Sequence, residues 1–284
     1  MKLAFVLLTA LCLEAQSPFE FRDAGATGLE LRENGKPVFV YNYGPTLPGG
    51  VPESFRRSGY LHPVYAPNGV VVTDDFPKDH FHHRGIFWAW PIVRAEGREY
   101  DPWAVKGLPV KFVRWIEKRA AADGAVLAVE NGWFAGDRKI VKETVRISVH
   151  PARSGSRVMD FALQFEAIAR PVDIEGAPEQ QKGYGGFSVR FAPRDETVVT
   201  TDRGREEKDT DMVPHPWAQL AAVYGGRPAS LRIDIDPSSA GAPNGWCLRN
   251  YGFLGVNFPG RQPFQLAPGR PLSLNCRVTL TGGD

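Results

Sequence analysis

Apolar and polar residues alternate in short runs along most of this chain, with a period of two. Phe19 to Arg22, Leu29 to Arg32, Val38 to Tyr43, Val70 to Thr73, Lys111 to Trp115, Val126 to Val129, Ile140 to Val149, Val158 to Phe165, Phe187 to Phe191, Leu231 to Ile235 and Leu272 to Leu280 all follow it. Successive side chains of a strand point to opposite faces, so each run predicts a strand. The pairs Asn34-Gly35, Asn68-Gly69, Asp123-Gly124 and Asn131-Gly132 offer the positive-φ residues that tight hairpin turns require. One stretch, Ile116 to Ala122, has a helix-like pattern but is short and uncapped, so a turn or a single helical piece is expected there. The sum predicts an all-β protein, a large antiparallel β-sandwich. No linker, repeat or low-complexity segment divides residues 16–284, which are expected to form one domain.

The first residues break the pattern. Lys2 precedes an almost wholly apolar run from Leu3 to Leu13, followed by Glu14-Ala15. A basic start, a short apolar core and a small residue read as a signal peptide spanning residues 1–15. The core is too short to cross a bilayer, which takes about 20 apolar residues. A periplasmic or secreted protein is therefore expected, with no membrane insertion after cleavage.

Composition narrows the partners. Glycine (30) and proline (24) cut the chain too often for long helices, while 43% hydrophobic residues suffice for a packed core. The net charge is +2, and removing residues 1–15 takes away one charge of each sign and leaves it there. Nucleic acid and anionic membranes demand clustered basic surface, so neither is expected as a partner. A small molecule or oligosaccharide fits better. Cys247 and Cys276 both sit in strand-like segments and admit two readings, a disulfide or two buried thiols.

Candidate chemistry is concentrated between Asp74 and Trp90, which hold three of the six histidines together with Asp75, Asp79, Arg84 and two tryptophans. Histidine titrates near neutral pH and carboxylates tune it. His82, His80, His83 and Asp75 are the candidate catalytic groups. If the chain is extended from His82 onward, His82, Arg84, Ile86, Trp88 and Trp90 share one face and His83, Gly85, Phe87 and Ala89 the other. His82 and Arg84 beside indole faces would suit a polyhydroxylated ligand. His62, Arg84, Trp88, Tyr184, Arg190, Trp246 and Arg249 are the candidate substrate-binding residues. No cofactor is expected. A divalent metal on His62, His80, His82, Asp74 and Asp75 is the lesser reading, because their spacing is not diagnostic and the Glu of a cupin motif is replaced by Ile86 and Phe87. There is no Gly-x-Ser-x-Gly elbow, P-loop or dinucleotide fingerprint. Asp75, Glu130, Glu143, Asp173 and Glu175 could supply paired carboxylates for glycoside cleavage.

Tyr60-Leu61-His62-Pro63-Val64-Tyr65, Asp74-Asp75-Phe76-Pro77, His80 to Trp90, Gly183 to Arg190 and Arg249 to Gly260 resemble successive blocks of a bacterial family catalogued as PmoA-like. The methane oxidation in that label is not carried over, since the chain has no spanning segment after its leader. The resemblance implies a β-supersandwich similar to the galactose-mutarotase-like proteins. There a sugar lies across a concave sheet, with a His and a Glu as acid and base. No Glu here matches that role by motif. The chain also departs from the family pattern at Thr281-Gly282-Gly283, where His-Asp-Gly is usual, and at Asp236-Pro237, where His-Pro is usual. The resulting expectation is a carbohydrate-active protein doing acid–base chemistry on a sugar, as an epimerase or a glycoside-cleaving enzyme. The alternatives are a non-catalytic carbohydrate-binding protein and a metal-dependent oxidoreductase.

Overall fold

A computed structural model describes residues 17–283, so the expected signal peptide lies outside the described residues. Two nine-stranded antiparallel sheets dominate. In spatial order the first holds Phe19–Ala24, Gly28–Glu33, Lys36–Asn42, Tyr60–Val64, Ile86–Ala89, Gly186–Arg190, Phe253–Asn257, Gly245–Arg249 and Thr210–Pro214. The second runs Gly204–Arg205, Asp195–Thr201, Trp217–Tyr224, Arg227–Ile235, Leu272–Thr281, Ser156–Ala167, Arg138–Val149, Gly124–Ala135 and Val110–Ala121. A four-stranded sheet around Val172–Glu175 completes the set. The expected all-β sandwich is what forms. Among the described residues no helix is long and apolar enough to cross a membrane.

Alternation explains the packing. Along Ser156–Ala167 every second side chain is buried, from Arg157 through Phe161, Leu163 and Phe165 to Ala167. These residues meet the first sheet, with Phe161 and Phe187 rings 5.2 Å apart and Trp90 edge-on to Phe165 at 5.0 Å. One contiguous apolar core runs from Phe19 to Leu280. Burying each such side chain is worth about 1.5–3 kcal/mol. Ile86–Ala89 is buried on both faces, which accounts for its unbroken apolar run. Its inward residues Ile86 and Trp88 join the main core, while Phe87 and Ala89 join a second cluster with Tyr60, Trp103, Cys247 and Phe253.

Two local expectations are corrected. Ile116 to Ala122 is neither turn nor helix: residues through Ala121 belong to the edge strand Val110–Ala121, paired along its length with Gly124–Ala135. Ladder pairing outweighs the local pattern, and the charged residues line a solvated sheet edge. Asn131-Gly132 is not a turn but lies inside Gly124–Ala135. Asn131 is buried there because its amide donates to Tyr41 Oη at 2.9 Å and Glu143 Oε1 at 2.8 Å. Thr210–Pro214 closes the first sheet as its last strand. Asn34-Gly35 and Asp123-Gly124 do connect adjacent antiparallel strands. Cys247 and Cys276 are free, buried thiols in different sheets.

Candidate functional site

The outward face of the first sheet can be read from its register. Leu61 pairs with Ile86, Ser188 with Phe87, Gly255 with Ser188 and Cys247 with Gly255. Tyr60, His62, Phe87, Ser188, Arg190, Phe253, Cys247 and Arg249 therefore share that face. The segment from Asp74 to Gly85 lies across it. Gly85 makes the approach feasible, because a Cβ there would stand 2.1 Å from the Leu61 carbonyl oxygen.

This segment is coiled rather than extended. Backbone N–H groups of His80 and His83 donate to the carbonyls of Pro77 and His80, each at 2.9 Å. Successive turns bring side chains three apart onto one side, so His80 and His83 stack with centroids 4.6 Å apart and planes 6° from parallel. His82 stands edge-on to both, at 5.6 and 4.6 Å. The expected separation of His82 from His83 on opposite strand faces is thus overturned, because the strand begins only at Ile86.

Aromatic rings frame the imidazoles. Tyr251, 43% exposed, stacks on His80 at 5.6 Å, and His83 packs on Phe253 at 5.0 Å. Trp103 approaches His82 at 6.3 Å and packs against Tyr184 at 4.9 Å. Arg190 lies over Tyr251 at 4.8 Å and grips both Asp79 oxygens at 2.9 and 2.8 Å. Asp79 Oδ2 in turn lies 2.9 Å from His80 Nδ1. A carboxylate so placed orients its imidazole.

Burial sets the protonation states. It lowers His82 to about 4, with the neighbouring His80, Arg57 and Arg84 acting in the same direction, and drives His83 well below the usual histidine range. Both rings are neutral at physiological pH and can accept a proton. Burial pushes the Asp79 carboxyl up, but hydrogen bonds from His80 and Arg190 outweigh it and hold it below the ordinary value. Burial raises Asp75 to about 7 despite the nearby Arg84. Tyr60 Oη donates to Asp75 Oδ2 at 2.9 Å and also hydrogen-bonds Thr46 Oγ1. The loop therefore carries neutral bases and a carboxyl that exchanges its proton near neutrality.

His80, His82, His83, Arg190 and Tyr184 converge, and Asp75 lies in the same segment. The other expected residues do not join them. Arg84 is fully buried, lies 3.5 Å over the Phe76 ring, and donates to the carbonyls of Phe81, His83 and Phe55. It props the loop from beneath and cannot touch a ligand. Trp246 is likewise sealed in the core, its indole N–H donating to the His215 carbonyl at 2.7 Å. Trp88 faces the core on the opposite side of its strand, because alternation directs Phe87 toward the histidines. Arg249 pairs with Asp211 and bonds the Thr210 carbonyl. His62 bonds Thr73 Oγ1 at 3.1 Å, and burial together with Arg84 lowers it to about 4. Among the described residues no three or more His, Cys, Asp or Glu side chains are placed to hold a metal ion.

Sequence reasoning missed Trp103, Tyr251 and Tyr60 as parts of the site. Trp103 has no patterned neighbours to single it out, whereas Tyr60 and Tyr251 lie inside blocks already marked by the family resemblance.

Fold and site together define a β-sandwich protein with a histidine-rich surface laid on the outer face of one sheet. The chain belongs to a family of unknown function, DUF6807, matched over residues 28–284. The matching family carries that description rather than a PmoA-like one. No curated protein matches. Solved structures with distant likeness include a putative kojibiose phosphorylase from human microbiome, at TM-score 0.38 and 10% identity over 86% of this chain and 26% of that one. The GalM/aldose epimerase homologue from C. elegans follows at TM-score 0.35 and 7% identity, over 94% of this chain and 100% of that one. The 4-alpha-glucanotransferase from Thermococcus litoralis gives TM-score 0.28 and 11% identity, over 94% and 40%. This chain thus spans about a quarter of the phosphorylase.

Proposed function

We propose that the protein is a carbohydrate-active enzyme that performs acid–base chemistry on a sugar at the histidine surface, of the epimerising or glycoside-cleaving type. The supporting observation is the convergence of His80, His82 and His83 beside the Asp79–Arg190 pair and the Tyr251 ring. Tyrosine and tryptophan faces cover the C–H face of a sugar, while imidazole and carboxylate groups bond its hydroxyls. His82, neutral and only partly buried, is the base. His80, oriented by Asp79, bonds the substrate oxygen, and His83 holds the other two rings in place. The leader-like pattern of residues 1–15 supports a periplasmic or secreted setting for this activity.

The test is a panel of free aldoses and disaccharides followed by proton NMR for anomer exchange, epimerisation or cleavage. His82→Ala should abolish product while leaving the melting temperature nearly unchanged. Turnover that survives the substitution would overturn the assignment. A sugar that raises the melting temperature without any product would instead mark a binding protein.

A further inference from the structure

The strand Ile86–Ala89 has a second side. Beside Trp88, and lined by none of the histidines, lies a cavity of about 590 Å³ whose walls include Trp88, Trp90, Trp133, Phe112, Tyr43 and Arg57. The indole N–H groups of Trp90 and Trp133 are already spent, on the Phe258 carbonyl at 2.6 Å and on Glu143 at 2.8 Å. Trp90 is fully buried within the wall, and the carbon surface open to a guest comes from Tyr43 and Phe112 with the edges of Trp88 and Trp133, which suits an apolar body.

The charge around the cavity is one-sided. No aspartate or glutamate lines it, whereas Arg56, Arg57 and Lys111 do. Glu53 already engages Arg56, at 2.9 and 2.8 Å. Arg57 is different. It is only 8% exposed, and its guanidinium reaches two backbone carbonyls, Trp88 at 3.1 Å and Pro102 at 3.5 Å, and the Phe87 ring at 5.1 Å. No carboxylate among the described residues forms an ion pair with it. The charges of Glu143 and Asp75 reach it without pairing, and a carboxylate in the cavity would give it a direct partner. The rim includes Val105 and Leu108 at φ 60° and 53°, a left-handed conformation unusual for a β-branched or bulky residue and often held at ligand sites.

We propose that this cavity binds a small molecule with a flat or aliphatic apolar body and a single carboxylate, which pairs with Arg57 while the body lies against Tyr43, Phe112 and the edges of Trp88 and Trp133. No histidine lines the cavity, and its occupancy can be read without any turnover at the histidine surface.

Naphthalene-2-carboxylate and its neutral carboxamide are the probes, titrated calorimetrically into the full chain. The carboxylate should bind one per chain and at least about ten-fold tighter than the amide, the difference a desolvated charge pair supplies. Arg57→Met should remove that preference. Lys111→Glu, an exposed change at the mouth, should weaken the carboxylate several-fold and leave the amide unchanged, so the test stands even if the Arg57 variant does not fold. Equal affinities for acid and amide, indifference of the acid to Lys111→Glu, or no saturable binding of either probe would each overturn the proposal.

Discussion

Asp75→Asn should stabilise this protein, and increasingly so as pH rises. The Asp75 side chain is only 15% exposed, and burial lifts its carboxyl from the ordinary 3.8 to about 7 even with Arg84 Nε 3.6 Å away. In the unfolded chain the group is ionised above about 4. Between those values the folded protein holds a proton that the unfolded chain has released, so stability falls as pH rises through the window and levels off above the folded pKa. Each unit is worth ~1.4 kcal/mol, so the wild type loses roughly 3 kcal/mol between about pH 5 and about pH 8. The asparagine variant is neutral throughout and escapes that loss. Arg84 is not stranded by the change, because its other donors go to the carbonyls of Phe81, His83 and Phe55. In a chain of this size the gain amounts to about 6–12 °C in Tm at the upper pH. Urea or thermal unfolding of both proteins across that range is the assay. Parallel stability curves, or a variant less stable than wild type at the alkaline end, would refute the reasoning.

Glu33→Ala should cost about 3–5 kcal/mol in urea unfolding, because it strands Arg157, which is 4% exposed and paired with Glu33 across the sandwich; a cost below about 1 kcal/mol would show that the pair is solvated. Gly85→Ala should lower the melting temperature markedly and disturb the histidine loop, since its Cβ would meet the Leu61 carbonyl at 2.1 Å; an unchanged Tm would show that the backbone gives way there. Once a substrate is found, the pH profile of kcat/KM should carry an acid limb near the His82 value of about 4, and an acid limb centred near ordinary histidine values would contradict the neutral-base role.

Strand alternation is a local property, so the sequence alone determined that the chain is an antiparallel β-protein. Ser156–Ala167 and Leu272–Thr281 show it most plainly, with burial switching at nearly every residue. The sequence also marked the stretch that bears the histidines. Where long-range pairing competes with local pattern, the reading went astray: Ile116 to Ala122 became strand because Gly124–Ala135 offered it a ladder, and Asn131 was drawn inside by Tyr41 and Glu143. The membership of the site was decided by tertiary structure alone. Two turns after Pro77 stack His80 on His83, and residues distant in sequence, Arg190 and Tyr251, are delivered by neighbouring strands and their loop. Arg84 and Trp246 carry the same chemistry on paper, yet one props the loop from below and the other fills the core. Residue type fixes what a side chain can do, but only the direction of its Cα–Cβ bond in the folded chain decides whether it meets solvent, a partner or the core.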